Sequence, residues 1–337
     1  MRSRAAVESV LPRRAFLVSM AGSALTHVRR AAAQPSGKIH RVGFLGNSTE
    51  ALEANLVGPF REGLRERGYI EGQNLTIAYR WAEGRYEHLP ALVAELVALP
   101  VDIIVTAGTP AALAVKRATT TIPLVMVAVG DPVGTGLVKS LAHPGGNLTG
   151  LVSIAPDLEG KRLELLAEVV PRLSSVGFLK NPANPFHVTS ETQARAAAKA
   201  LNLRIAFFAI TAEAEFEPAF QAIAGQRPGA LVMLADRLFL HHRERIVEFS
   251  ARHRLPTVYA YVELVRAGGL MSFGPSYPGM HRRAAYFVDR ILKGARAADL
   301  PMEQPDKFEL LINLKTARAY GLTIPQPILL RADEVIE

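Results

Sequence analysis

The chain has 337 residues, 49% of them hydrophobic and 21% charged, with 26 Gly, 22 Pro and no Cys. That is apolar material for about two domains with buried cores, and the missing Cys excludes a disulfide scaffold, a thiolate zinc site, a Cys nucleophile and a lipidated Cys. A net charge of +8 raises nucleic acid or an anionic membrane as partners, so where the charge sits matters first.

Most of it sits at the start. Residues 1–33 hold six Arg and one acid, Glu8, a net +5, which leaves +3 for everything that follows. The segment has a basic region ending in Arg13-Arg14, an apolar run over 15–25 too short to span a bilayer, and the small residues Ala31-Ala32-Ala33. That order is the order of an export signal cut after Ala33. Arg13-Arg14-Ala15-Phe16-Leu17 resembles the twin-arginine signal, a receptor-read address, and Arg29 and Arg30 beside the cut suit that route better than general secretion. A disordered tail that binds polyanions is the alternative reading of the same residues. Without this segment the charge is ordinary and predicts no nucleic-acid partner. No later stretch reaches roughly 18 uninterrupted apolar residues, so no stable membrane insertion is expected.

From Ile39 onward short β-rich runs alternate with amphipathic stretches, the pattern of parallel sheets covered by helices on both faces. In the first half, strands are predicted at 41–45, 75–81, 102–107, 124–129 and 148–153, with helices at 53–67, 86–98, 110–118 and 134–141. The series then restarts, with strands at 176–179, 204–210, 230–234, 257–261 and 270–273 and helices at 189–201, 213–224 and 238–253. A strand at 307–314 and a short helix at 315–320 close the chain. The restart leaves a trace: Val42-Gly43-Phe44-Leu45-Gly46-Asn47 returns as Val176-Gly177-Phe178-Leu179-Lys180-Asn181. Both copies open a βαβαβ series and end on Asn, so an α/β fold of two similar open-sheet lobes is expected.

In open parallel sheets, ligands bind outside the carboxyl ends of the strands, where helix amino termini present free N–H groups. In the first lobe those places carry Asn47-Ser48-Thr49, Gly108-Thr109-Pro110 and Gly130-Asp131-Pro132. In the second they carry Asn181-Pro182-Ala183-Asn184, Asp236-Arg237, Tyr259 to Tyr261 and Ser272-Phe273-Gly274. Thr109-Pro110 is the sharpest, with Thr as helix cap and Pro in the first position, so a ligand carboxylate is expected there. Asp131 and Asp236 are placed to accept from a ligand ammonium or hydroxyl, although Asp serves equally as an ordinary cap, and Asn47 and Asn181 as ordinary turn residues. Tyr259, Tyr261 and Trp81 are candidates for a pocket wall, against the alternative of core packing.

Signatures of enzymes are missing. There is no dinucleotide glycine pattern, no G-x-x-x-x-G-K-[ST] and no G-x-S-x-G. His241-His242-Arg243-Glu244-Arg245 is the densest ionisable cluster, but adjacent His on a helix point about 100° apart and share a metal poorly, so a solvated helix face is expected. No catalytic residue, metal or cofactor is predicted.

Several runs then resemble one family. They are Gly108-Thr109-Pro110-Ala111-Ala112, Asp131-Pro132-Val133-Gly134 continuing to Leu141, Pro144-Gly145-Gly146-Asn147-Leu148-Thr149-Gly150, Gly160-Lys161-Arg162-Leu163-Glu164-Leu165-Leu166, Asn181-Pro182-Ala183-Asn184-Pro185, Gly268-Gly269-Leu270-Met271-Ser272-Phe273-Gly274 and Leu330-Arg331-Ala332-Asp333-Glu334-Val335-Ile336. Together they resemble the ABC-transporter substrate-binding proteins related to tryptophan- and phenylalanine-binding lipoproteins, over nearly all of 38–337. The resemblance implies a type I periplasmic-binding-protein fold, with two Rossmann-like lobes joined by three crossings near 153–156, 274–276 and 304–308. Lobe 1 would hold 34–154 and about 276–305, lobe 2 would hold 155–275, and the tail 306–337 is left unassigned. The implied protein is a periplasmic monomer that captures a small amino-acid-like or carboxylate solute and presents it to a permease and its ATPase. A sensor presenting the same domain to a receptor kinase is the alternative. Family cleft positions fall on Ser48, Thr109, Asp131, Asn181, Asp236 and Ser272. Two departures stand out: several family members start with a lipidated Cys that is missing here, and Ala235-Asp236-Arg237-Leu238 replaces a run that has Pro at its first and third positions in relatives. Arg237 therefore alters the pocket edge, and ligand identity does not carry over.

Overall fold

The computed structural model describes residues 38–153, 158–305 and 307–337; the expected export signal at 1–33 and all but the first residue of the crossing expected near 153–156 lie outside them. The first series is β1 (His40–Gly46), α1 (Glu50–Arg65), β2 (Leu75–Trp81), α2 (Leu89–Ala98), β3 (Ile103–Ala107), α3 (Thr109–Ala118), β4 (Leu124–Val129) and β5 (Leu148–Val152). The second is α4 (Leu158–Val169), β6 (Ser175–Lys180), α5 (Phe186–Ala200), β7 (Arg204–Ala209), α6 (Phe216–Gln226), β8 (Ala230–Met233), α7 (Arg237–His241), α8 (Arg243–Arg252), β9 (Thr257–Tyr259), α9 (Val262–Arg266) and β10 (Met271–Pro275). After α10 (Tyr277–Leu292) the chain ends in β11 (Phe308–Asn313), α11 (Leu314–Tyr320), α12 (Gln326–Leu329) and β12 (Glu334–Ile336).

The strands form two sheets, ordered β2-β1-β3-β4-β5 and β12-β11-β10-β9-β8-β6-β7, and the antiparallel pair β10–β11 interrupts otherwise parallel pairing. The order of the first sheet recurs in the second as β7-β6-β8-β9-β10. The repeated Val-Gly-Phe-Leu sequence falls on β1 and β6, the strands at which each order reverses. Its glycine leaves room for a neighbouring side chain in both copies. A Cβ on Gly43 would lie 3.2 Å from Leu96, and one on Gly177 would lie 2.9 Å from Phe208. The central strands β3 and β4 are buried along their whole length, as parallel strands covered on both faces must be.

Leu45, Val93, Leu96, Ile104, Ala111 and Met126 fill one side of the first sheet. Phe44, Phe60, Leu64, Val105 and Val127 fill the other, together with Ala284, Ala285 and Val288 of α10. The chain thus crosses from the first sheet after β5, returns at Ser276 to lay α10 on α1, β4 and β5, and crosses again between Glu303 and β11. Glu303 is still tied to the first sheet: Val152 donates to its carbonyl at 2.8 Å and its own N–H donates to Gly150 at 3.0 Å. This is the fold that the resemblance implies. The tail left open by the sequence extends the second sheet, β11 pairing with β10 and β12 with β11.

Some local expectations fail for identifiable reasons. Residues 134–141 form turns rather than a helix, with Gly136 at φ +71° and the Lys116 ammonium donating to Leu137 O at 3.1 Å. The helix expected over 238–253 breaks at His242 into α7 and α8. Helix α10 is hidden in the sequence because Tyr277-Pro278-Gly279 reads as a turn, yet Pro is well tolerated in a first helical turn.

Within α10, His281 is buried, its Nδ1 lies 2.8 Å from Tyr277 O, and its Nε2 has no partner. Burial, reinforced by nearby Arg237, pushes its pKa down to about 3, so it folds as the neutral ring. The folded value lies below the unfolded value of 6.5, so its contribution is complete above 6.5 and is lost as pH falls. Between pH 7 and pH 5 it should remove about 2 kcal/mol of unfolding free energy. Urea denaturation of the wild type and His281→Gln at both pH values checks this: the variant should lack that share of the pH dependence, and equal pH dependence would contradict it.

Candidate functional site

The carboxyl ends of β1, β3 and β4 face those of β6 and β8, and the turns that follow build the site. After β1, Glu53 from the first turn of α1 turns inward, and its Oε1 accepts the N–H groups of Asn47 and Ser48, each at 2.8 Å. Burial raises the Glu53 pKa, opposed by Arg237 and by those two N–H groups. Asn47 Nδ2 donates to Ala107 O at 2.9 Å, which ties the β1 turn to the β3 turn. Ser48 Oγ lies 2.6 Å from Nδ1 of His241 in the second lobe.

After β3 the chain turns at Gly108, whose φ of +80° suits a residue without Cβ. Gly108 rather than Thr109 therefore stands at the cap position of α3, and Thr109 and Pro110 occupy the first two helical positions. The Thr109 hydroxyl joins two turns instead of capping, accepting from Gly130 N at 3.1 Å and lying 3.2 Å from Gly130 O. Asp131 has φ +36°, a left-handed conformation that Asp adopts more readily than most residues. Its Oδ1 accepts from Gly134 N at 2.9 Å and its Oδ2 from Thr189 Oγ1 of the second lobe at 2.7 Å.

Asp236 is the centre of the second lobe's half. It is buried, and its Oδ1 accepts from Tyr86 OH of the first lobe at 2.9 Å, from Asn181 Nδ2 at 3.1 Å and from Leu238 N at 3.0 Å. Its Oδ2 accepts from Asn184 Nδ2 at 2.8 Å. Asn181 N donates to His187 Nδ1 at 2.8 Å, which leaves Nε2 to donate to Ala235 O at 3.1 Å. Burial lowers the His187 pKa, in keeping with that neutral tautomer.

These groups surround a cavity of about 20 Å³ between the lobes, lined by Tyr86, Thr109, Pro110 and Ser153 of the first lobe, by Asn184, Phe186, Asp236, Arg237 and Tyr261 of the second, and by Tyr277 at the start of α10. That is room for about one water, so the lobes are closed on each other. A larger depression of about 320 Å³ lies beside α1 and β2, but one lobe alone lines it. Of the residues singled out in the sequence, Thr109, Pro110, Asn184, Asp236 and Tyr261 line the cavity. Asn47, Ser48, Asp131 and Asn181 lie behind it or at its rim, holding turns and lobes together. Tyr259 and Ser272 lie elsewhere: they pair across β9 and β10, both fully buried, and a Cβ on Gly269 would stand 2.4 Å from the Tyr259 ring. Trp81 stacks on Tyr79 at 5.7 Å, also away from the cavity.

The histidine pair is not a solvated face. His241 meets Ser48 across the lobes, and the His242 ring packs 4.8 Å from Phe216. Burial lowers both pKa values, that of His242 to about 4. Glu53, Tyr86, Phe186 and Tyr277 also build the site and lie outside the strand-end turns. Glu53 does carry a signal, since it shares an apolar helix stripe with Leu56, Val57, Phe60 and Leu64.

Closure depends on Gly130. A Cβ there would lie 2.2 Å from Cγ of Phe186, so that buried ring must change its χ1 rotamer or move away with its lobe. Gly130→Ala is expected to hold the lobes apart, giving a larger radius of gyration in solution scattering than the wild type under the same conditions. Superimposable scattering curves would show that Phe186 gives way.

The family model described as ABC transporter substrate binding protein matches residues 48–336. The chain is 28% identical over 267 residues to a tyrosine-binding protein of Clostridioides difficile strain R20291, covering 78% of this chain and 75% of that one. A solved conserved domain protein of Vibrio cholerae O1 biovar El Tor is similar with a TM-score of 0.83 at 29% identity, covering 88% of this chain and all of that one, 100%. An ABC domain from Streptococcus pneumoniae in complex with L-Trp is similar with a TM-score of 0.82 at 26% identity, covering 88% and 99%.

Proposed function

The chain belongs to the ABC transporter substrate-binding proteins, and from that premise we propose that it is the solute-capturing component of an importer. It takes a small amino-acid-like or carboxylate solute between its lobes and hands it, in the closed form, to a membrane permease driven by a separate ATPase. The observation that carries this reading is the meeting of strand-end turns from both sheets around one small cavity, with Tyr86 of one lobe bonded to Asp236 of the other. A solute contacting both halves binds the closed form better and shifts the population toward it. Thr109, Pro110, Asn184 and Asp236 line the solute space, and Asn47, Ser48, Asp131 and Asn181 hold its walls. The tyrosine and L-Trp named for two relatives support a solute of amino-acid size. The twin-arginine-like segment supports export to the periplasm by that route.

Native mass spectrometry of the protein taken from its own periplasm tests this reading. A small solute should stay bound in gentle conditions and leave on activation; protein that is solute-free in every preparation, and takes up none from a periplasmic extract, would contradict it.

A further inference from the structure

Among the described residues, one cation facing the cleft has no hydrogen-bonding or ion-pair partner for its terminal nitrogens. Arg237, the first residue of α7, is 4% exposed, and its Nη1 and Nη2 make no hydrogen bond. Among the described residues, no carboxylate lies within ion-pair distance of it. Its guanidinium carbon stands 5.2 Å from the centre of the Tyr277 ring and 5.5 Å from that of Tyr261, contacts that orient the group without neutralising it. Its stem passes Gly108, where an added Cβ would lie 3.5 Å from its Cγ. A buried cation with unused donors is costly for a fold to keep unless something arrives to pair with it.

The two aspartates at the cleft are already engaged. Asp236 accepts from Tyr86, Asn181, Asn184 and Leu238, and Asp131 accepts from Gly134 and Thr189. Neither has a carboxylate oxygen without a donor to offer a ligand ammonium. The start of α3 is also a thin anion cradle: Pro110 has no N–H, and Ala112 N already donates to Gly108 O at 3.2 Å. What the cavity offers is one guanidinium among Phe186, Tyr261 and Tyr277.

We propose that Arg237 binds the carboxylate of the solute through Nη1 and Nη2, and that the solute is a monocarboxylate with an apolar or aromatic body and no α-ammonium group. The inference rests on the reading of this cleft as the solute site. A planar guanidinium matches a carboxylate with two parallel hydrogen bonds, which lysine does not.

Calorimetry of the full chain with matched probes tests it: 3-(4-hydroxyphenyl)propionate, L-tyrosine and tyramine, and the corresponding trios built on phenylalanine and leucine. At least one carboxylate should bind about tenfold or more tighter than its amino-acid counterpart, and the amines should not bind. Arg237→Gln should weaken that carboxylate about tenfold to a hundredfold, and Arg237→Lys should restore only part. Arg237→Gln should also melt at a higher temperature than the wild type when both are free of solute, which separates a binding role from a structural one. Tighter binding of an amino acid than of its desamino partner, or unchanged affinity in Arg237→Gln, would overturn the assignment and leave solute capture standing. Binding of none of the probes would overturn it too, and solute capture would fall with it only if native mass spectrometry also found no solute.

Discussion

Asp236→Ala is expected to lose about 3–5 kcal/mol of unfolding free energy and most of the capacity for lobe closure. The carboxylate collects four hydrogen bonds within the buried core of the cleft, from Tyr86 OH, Asn181 Nδ2, Asn184 Nδ2 and Leu238 N. Removing it orphans four donors at once, and a buried polar group left without a partner costs about 1–3 kcal/mol. The cavity can admit a water to one or two of them, which holds the total below the simple sum. It also removes the cap of α7, since the N–H of Leu238 is the group that Asp236 satisfies. Asp236→Asn keeps the shape but turns one oxygen into a donor facing other donors, so it should lie between the two. Tyr86→Phe removes the cross-lobe bond alone and should cost about 1 kcal/mol, seen chiefly as a shift toward the open form. Urea denaturation gives the stabilities. A loss below about 1 kcal/mol in Asp236→Ala would mean that water replaces the carboxylate fully.

The second large effect is expected at Glu159, in the first turn of α4. Glu159 and Arg162 form an ion pair with side chains 1% and 0% exposed, Nη1 reaching Oε1 at 2.9 Å and Oε2 at 3.1 Å. Arg162 Nε also donates to Phe273 O of β10 at 3.0 Å. The pair thus joins the helix that follows one crossing to the strand that precedes another. Glu159→Gln leaves a guanidinium buried without its counter-charge and should cost about 3–5 kcal/mol. Replacing both members by apolar residues, as in Glu159→Leu with Arg162→Met, should cost less than Glu159→Gln alone, because the unpaired charge leaves with its partner. A double-mutant cycle read by urea denaturation checks this; additive costs would show that the two side chains act independently.

The fold was legible where burial on both faces forces a simple pattern. Ile103-Ile104-Val105 and Leu124-Val125-Met126-Val127 read as continuous apolar runs because β3 and β4 lie between covered faces. The repeated Val-Gly-Phe-Leu run could be read because the same packing need, room for a neighbouring side chain above a glycine, arises once in each sheet. Strand-end turns were legible as a class, since short polar residues must satisfy backbone groups at those ends, and Thr109, Pro110, Asn184 and Asp236 do line the cavity.

Tertiary contact decides what local pattern left out. Tyr259 and Tyr261 share one face only if the strand continues, but β9 ends at Tyr259 and the chain bends, which leaves Tyr259 in the core and brings Tyr261 to the cavity. Thr109 looked like a cap because Thr so often is one, while Gly108 makes the turn that moves the cap back by one residue. Arg237 read as an edge residue, as arginines usually are, and its near-complete burial comes from the closing of Gly108, Tyr261 and Tyr277 around it. The histidine pair looked solvated because its neighbours in sequence are charged, whereas its neighbours in space are Ser48, Gly84 and Phe216.

The central claim is that the two lobes close on a small solute. Small-angle X-ray scattering tests it directly, on protein freed of its solute by unfolding and refolding and then supplied again with the solute identified by mass spectrometry. A smaller radius of gyration on resupply, returning to the larger value when the solute is dialysed away, is the predicted result. Identical scattering with and without the solute, under conditions where calorimetry shows the site saturated, would contradict it.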